Sequence, residues 1–203
     1  MLRRTRALLP LLGLLVLSTT TLLAQGRRGL VEVSPEGIRR GLWLAGGFGR
    51  GEESFRFAED PFGPSEVKPV FAFRIGGTPD QNLRIGGEVT TWVNPYTDED
   101  GFRITETLSS LTVIGQFYPI RTAGLFIKGG VGIGATSSSV ESGNTLTETG
   151  FVAQYGAGYD IRLGRTLALT PTVEMFRHRF TKRGDDPLDE RLFHIGVALT
   201  WQR

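Results

Sequence analysis

From residue 38 onward, apolar and polar residues alternate one by one in segment after segment, with Gly, Pro, Asn and Asp as punctuation. A period of two puts every second side chain on one face of an extended strand, so the pattern demands half-buried β-strands and excludes amphipathic helices. Eight such segments are read: 38–49, 67–77, 82–93, 102–119, 124–137, 146–161, 165–178 and 191–202. Most suit a tilted bilayer crossing of about 9–11 residues and exceed the usual soluble strand of about 5–6. Their connections sort into short turns at 78–81, 120–123 and 162–164, and long polar loops at 50–66, 94–101, 138–145 and 179–190. Short and long alternate strictly. That arrangement predicts an all-β chain, an eight-stranded antiparallel up-and-down transmembrane β-barrel with periplasmic turns and external loops.

The alternation also assigns faces. In the fifth segment Leu125, Ile127, Gly129, Val131, Ile133 and Ala135 share one side, opposed by Phe126, Lys128, Gly130, Gly132, Gly134 and Thr136. The last segment sets Phe193, Ile195, Val197, Leu199 and Trp201 against His194, Gly196, Ala198 and Thr200, and the second sets Phe71, Phe73 and Ile75 against Lys68 and Arg74. A soluble barrel would turn the apolar face inward. A Gly-rich polar face suits a crowded interior instead, and Phe117, Tyr118, Tyr159 and Trp201 near the short turns suit an interfacial girdle. The fourth segment fits least well, because Ile104, Leu108 and Ile114 fall on the polar face; a bulge or a partly apolar lumen would account for them.

Ahead of the strands, Arg3, Arg4 and Arg6 precede an apolar stretch and then Ser18–Ala24, the order of an export signal. The expected division is a signal peptide at 1–24, a short periplasmic lead at 25–37 and a barrel domain at 38–203. Removing residues 1–24 takes the formal charge from +2 to −1, which leaves no argument for a nucleic-acid partner. With 0 Cys, the exported chain has no disulfides and no thiolate ligands.

Eight strands enclose a lumen just wide enough for side chains or one small ligand. Arg74, Arg84, Glu88, Glu106, Lys128, Glu148, Glu174 and His194 are assigned to it as a polar network, because lone charges there would be costly. Glu88 and Glu174 are the expected acidic partners of Arg74, Arg84 or Lys128. The acidic pairs Glu52/Glu53, Asp98–Asp100 and Asp185/Asp186 are placed in loops. Arg177, Arg179, Lys182 and Arg183 form a basic cluster at the external end of the seventh segment, suited to lipopolysaccharide phosphates. No nucleophile elbow, phosphate loop or metal-spaced cluster occurs, so no catalytic residue, cofactor or metal is expected.

The paired hairpin motifs Ile75–Gly77 and Ile85–Gly87, the run Lys128-Gly129-Gly130-Val131-Gly132, the segment Gly156-Ala157-Gly158-Tyr159-Asp160, and the ending His194-Ile195-Gly196-Val197-Ala198-Leu199-Thr200-Trp201 carry a resemblance. The mature chain resembles the small outer-membrane β-barrel proteins of Gram-negative bacteria, the eight-stranded OmpA/OmpX/OmpW-like class. The resemblance implies a monomer among outer-membrane lipids and lipopolysaccharide, inserted by the barrel-assembly machinery. That machinery reads a terminal aromatic; here Trp201 is followed by Gln202 and Arg203. The class holds structural and surface-interaction barrels, narrow channels for small or hydrophobic molecules, and a few lipid A enzymes, and the fold does not choose among them. The packed polar lumen favours the first. His178 invites comparison with the lipid A deacylases, which use a His near a Ser, yet no Ser stands near it in the sequence.

Overall fold

The computed structural model describes residues 39–57, 60–98, 101–140, 145–180 and 187–203. The segments expected to be a signal peptide and a periplasmic lead, together with Asp100, Lys182, Arg183 and Asp185/Asp186, lie outside the described residues. Eight long strands form the wall: β1 (Gly41–Phe57), β2 (Glu66–Asp80), β3 (Leu83–Thr97), β4 (Arg103–Phe117), β5 (Leu125–Val140), β6 (Thr145–Tyr159), β8 (Leu167–Phe180) and β9 (Leu188–Gln202). A two-residue strand, β7 (Ile161–Arg162), prolongs the line of β6 past Asp160. Each long strand pairs antiparallel with its sequence neighbour; β1 pairs with β9, and β6 with β8, so the sheet closes and no long strand is left as an open edge.

The apolar face points outward. Val113 is 66% exposed and Ile133 64% exposed, and Phe71, Phe73, Val89, Leu111, Val131, Phe151 and Ile195 extend them into one continuous belt. Water would not support such a surface, whereas lipid would. The belt has a definite upper limit. Above Phe48 the outward residues of β1 are Arg50 and Glu52; above Leu111 on β4 come Ser109 and Thr107; above Met175 on β8 come Arg177 and Arg179. The walls nevertheless continue as paired strand above this line, as in Ser54↔Arg191 and Glu106↔Ser138.

These extensions correct the expected external boundaries. β1 runs to Phe57 instead of ending at Gly49, β3 to Thr97 and β8 to Phe180, and β9 begins at Leu188. Backbone pairing does not require apolar side chains, so the ladder outlasts the lipid-facing pattern from which the boundaries were read. The fourth segment is also resolved. Its registers with β3 and β5 are continuous, and Leu108 and Ile114 are buried inside, so the lumen is partly apolar and no bulge interrupts the strand. Tyr118 does not join a girdle: it is 0% exposed and packs on Phe126 within the barrel, while Phe117 and Tyr159 face outward.

Inward glycines make room for large neighbours. A Cβ at Gly134 would lie 2.6 Å from the His178 ring, and one at Gly158 would overlap Phe126. The interior is thus filled by a few bulky side chains set against bare backbone.

Candidate functional site

Inward side chains stack in layers along the barrel. At mid-depth β2, β3, β5, β8 and β9 bring together Arg74, Glu88, Lys128, Glu174 and His194, each nearly inaccessible to solvent. Arg74 donates Nε to Glu88 Oε2 at 3.0 Å and Nη2 to Glu174 Oε1 at 2.8 Å. Lys128 Nζ lies 2.7 Å from Glu88 Oε2 and 2.6 Å from Glu174 Oε1. Thr90 Oγ1 donates to Glu88 Oε1 at 2.9 Å. His194 Nδ1 stands 3.2 Å from Glu174 Oε2, and because a carboxylate only accepts, that nitrogen carries the proton. Two cations thus cross-link two carboxylates, and the mutual pairing is what makes four buried charges tolerable.

Arg84 does not join this cluster. It lies nearer the short turns, where Nη1 meets Asp160 Oδ2 at 3.0 Å and Nη2 donates to Gln202 Oε1 at 2.6 Å. Tyr118 donates to the same Asp160 oxygen at 2.9 Å, and Thr170 to Asp160 Oδ1 at 2.9 Å. Arg39 closes this end, with its guanidinium 3.7 Å from the Tyr118 ring centroid and a bond to the Arg121 carbonyl at 2.9 Å. Asp160 follows the last residue of β6, where the short-turn end of the chain turns its side chain inward.

Two apolar layers separate the polar ones. Trp43, Ala45, Ile114 and Ala198 lie between the lower and central clusters. Val70, Trp92, Leu108, Val152, Phe176, Phe180 and Leu192 lie on the external side of the central cluster. At that level His178 Nε2 is 2.7 Å from Ser110 Oγ, a contact that topology makes across the lumen from β4 to β8. Both residues are buried, and His178 is stacked between Phe176 and Phe180.

Above the second apolar layer the barrel opens into a vestibule of about 400 Å³. Glu53, Glu106, Glu148 and Glu190 line it, with Trp92 and Leu108 at its base and Phe55, Phe57 and Leu146 toward the mouth. Glu106 and Glu148 therefore belong to this chamber and not to the central network. Glu53 belongs here too, which corrects its placement in a loop: it points inward from β1, while Glu52 is exposed outside and accepts a bond from Ser65 at 2.6 Å. Glu106 accepts from Asn94 Nδ2 and Tyr96 Oη, both at 3.1 Å. Because these walls stand above the lipid-facing belt, the vestibule lies outside the membrane-spanning part. Burial, reinforced by Glu106 and Glu66, raises the Glu53 carboxyl to about 7. Burial and the Glu53 charge raise Glu190 to about 8, against an opposing hydrogen bond from Thr136.

On the outer surface Arg177 and Arg179 project just above the apolar belt on β8. Arg191 stands directly across from Arg177 on β9. Arg179 Nε is 3.8 Å from Asp189 Oδ1, a contact too long and exposed to neutralise it. Among the described residues, no group of three or more His, Asp or Glu is arranged to hold a metal ion.

Neither a family model nor a curated protein matches this chain by sequence. Solved structures do match its fold. The attachment invasion locus protein Ail of Yersinia pestis, in complex with the heparin analogue sucrose octasulfate, is 10% identical with a TM-score of 0.55, covering 79% of this chain and 99% of that one. Neisserial surface protein A is 11% identical with a TM-score of 0.53, covering 80% of this chain and 97% of that one. The fold is that of the small outer-membrane β-barrels.

Proposed function

We propose that the protein is a monomeric outer-membrane barrel with a structural or surface-interaction role, and that it is neither a channel nor an enzyme. The carrying observation is the filled lumen: two apolar layers and two ion-paired clusters occupy the bore beneath the vestibule. A conducting pore needs a continuous wet path. What faces the exterior is the polar upper wall with its chamber and arginines. Arg177 and Arg179 suit phosphate groups of lipopolysaccharide, since guanidinium binds such oxyanions in a forked geometry. The polysulfated ligand in the Ail structure is chemically akin to that partner. Lys182 and Arg183 extend the basic run in sequence. Insertion by the barrel-assembly machinery follows from the membrane-barrel reading.

The test is planar-bilayer recording of the purified protein. Silence at concentrations where a known porin conducts supports the reading, and reproducible unitary currents overturn it. Arg177→Gln with Arg179→Gln should reduce the lipopolysaccharide that co-purifies with the barrel; unchanged retention removes these arginines from the proposal.

A further inference from the structure

Glu53, Glu106 and Glu190 face the external vestibule, and none of the described residues lining it is Lys or Arg. Elsewhere in this interior, buried acids are matched to cations: Glu88 and Glu174 to Arg74 and Lys128, and Asp160 to Arg84. The partners of Glu106 are neutral, namely Asn94 and Tyr96. Glu53 is 9% exposed, and its Oε1 has no hydrogen-bond partner. Buried acceptors of this kind are costly unless a donor supplied from outside completes them.

The rest of the chamber restricts what that donor can be. Its base is Trp92, held in place by its indole N–H on the Gly51 carbonyl at 3.1 Å. Phe55 and Phe57 meet edge to face near the mouth, with ring centroids 5.8 Å apart. Leu146, which lines the chamber from β6, is 78% exposed. A bare divalent ion would use none of this apolar surface. It would also need oxygens converging at about 2.0–2.6 Å, and the described acids form no such group. A cavity of about 400 Å³ falls in the usual range of about 300–1,000 Å³ for a small organic ligand.

We infer that the vestibule binds a small organic cation, an ammonium group carried on an apolar body. The ammonium donates to Glu53 Oε1 and is held electrostatically by Glu106 and Glu190. The apolar body lies against Trp92 and the Phe55–Phe57 pair, where aromatic faces also attract the cation. This goes beyond the surface-interaction role and stands apart from it, because a barrel found to conduct could still bind an ammonium here.

Phenethylammonium is a suitable probe, with phenethyl alcohol as its uncharged counterpart and magnesium chloride as a cation without an apolar body. The membrane-extracted protein, labelled with nitrogen-15 and placed in lipid nanodiscs, reports binding through the Trp92 indole N–H resonance, assigned with Trp92→Phe. The expected result at mildly alkaline pH is a saturable shift with phenethylammonium. The affinity should fall at least tenfold for the alcohol and at least tenfold in Glu53→Gln/Glu190→Gln. It should be unchanged in Glu52→Gln, whose side chain faces outward, and magnesium should not displace the probe. If the double variant does not assemble, Glu53→Gln alone should weaken binding at least threefold. No saturable shift, equal binding of the alcohol, indifference to the Glu53 substitution, or displacement by magnesium at equal concentration would each overturn the assignment.

Discussion

Lys128 shows how one inward charge is accommodated by the wall opposite. It projects from β5 between Glu88 and Glu174, and Arg74 reaches the same two acids. Lys128→Leu leaves two buried carboxylates to share one guanidinium, so it should lower stability by about 3 kcal/mol, as expected on breaking a buried pair. Reversible urea unfolding in lipid vesicles measures this, and a variant as stable as the parent would contradict the cluster. The vestibule acids should act in the opposite sense. Glu53 faces Glu66, Glu106 and Glu190, and among the described residues Lys68 sits 3.6 Å from Glu66. Glu190 also faces Glu148, takes a bond from Thr136, and lies across from His178 in the β8–β9 register. Both folded values exceed the ordinary 4.5, at about 7 and about 8. The folded state therefore holds protons that the unfolded chain releases, and stability contributed by these groups falls as pH rises from about 4.5 through about 8. Unfolding midpoints between about pH 5.5 and about pH 8.5 should decline with pH, and Glu53→Gln/Glu190→Gln should flatten that decline.

At the scale of the strand, the two faces of β5 obey different rules. Gly132 points inward, and a Cβ there would run into the Leu111 carbonyl of β4, so backbone would have to move. Gly129 points outward, where its Cβ would meet nothing nearer than the Gln154 carbonyl at 4.0 Å. Gly132→Val should therefore disturb the β4–β5 ladder and diminish the compact, heat-modifiable band on gels. Gly129→Leu adds apolar surface to the lipid face and should leave that band intact. The contrast separates packing from mere loss of glycine, since both substitutions enlarge the same strand. The upper strands follow yet another rule: above Arg50, Ser109 and Arg177 they keep their pairing without facing lipid, and it is this raised wall that encloses the vestibule.

For the molecule as a whole, sheet closure and a filled bore have separate consequences. Closure satisfies the backbone across the bilayer, which a spanning sheet requires. The filled bore is what the proposed non-conducting role rests on. Glu88→Gln weakens the central cluster but leaves the apolar layers above and below it, with Trp92 and Phe176 in one and Trp43 and Ile114 in the other. Bilayer recordings of Glu88→Gln should thus remain silent, like those of the parent, and currents appearing in the variant alone would show that the salt bridges are the seal. Fractionation should find the protein with outer-membrane material, extractable only with detergent.

The order of apolar and polar residues was sufficient to read the strand number and which residues share a face, because a strand's side-chain period is set by local geometry; the Gly-rich polar side and the alternation of short and long connections then turned Lys128 inward. Which inward charges meet was a different matter. Arg84 and Arg74 occupy equivalent positions in the alternation, yet one reaches Asp160 near the short turns and the other Glu174 at mid-depth. Ser110 and His178 are separated by 68 positions and become neighbours across the lumen. Tyr118 read as a girdle residue because composition and depth cannot distinguish the two sides at the end of a strand. Glu53 and Glu190 read as loop acids because the lipid-facing pattern stops before the hydrogen-bonded ladder does. Depth, cross-lumen contact and the enclosed chamber depend on how eight strands are staggered on closure, and that stagger is a property of the whole sheet, with no counterpart in any single segment.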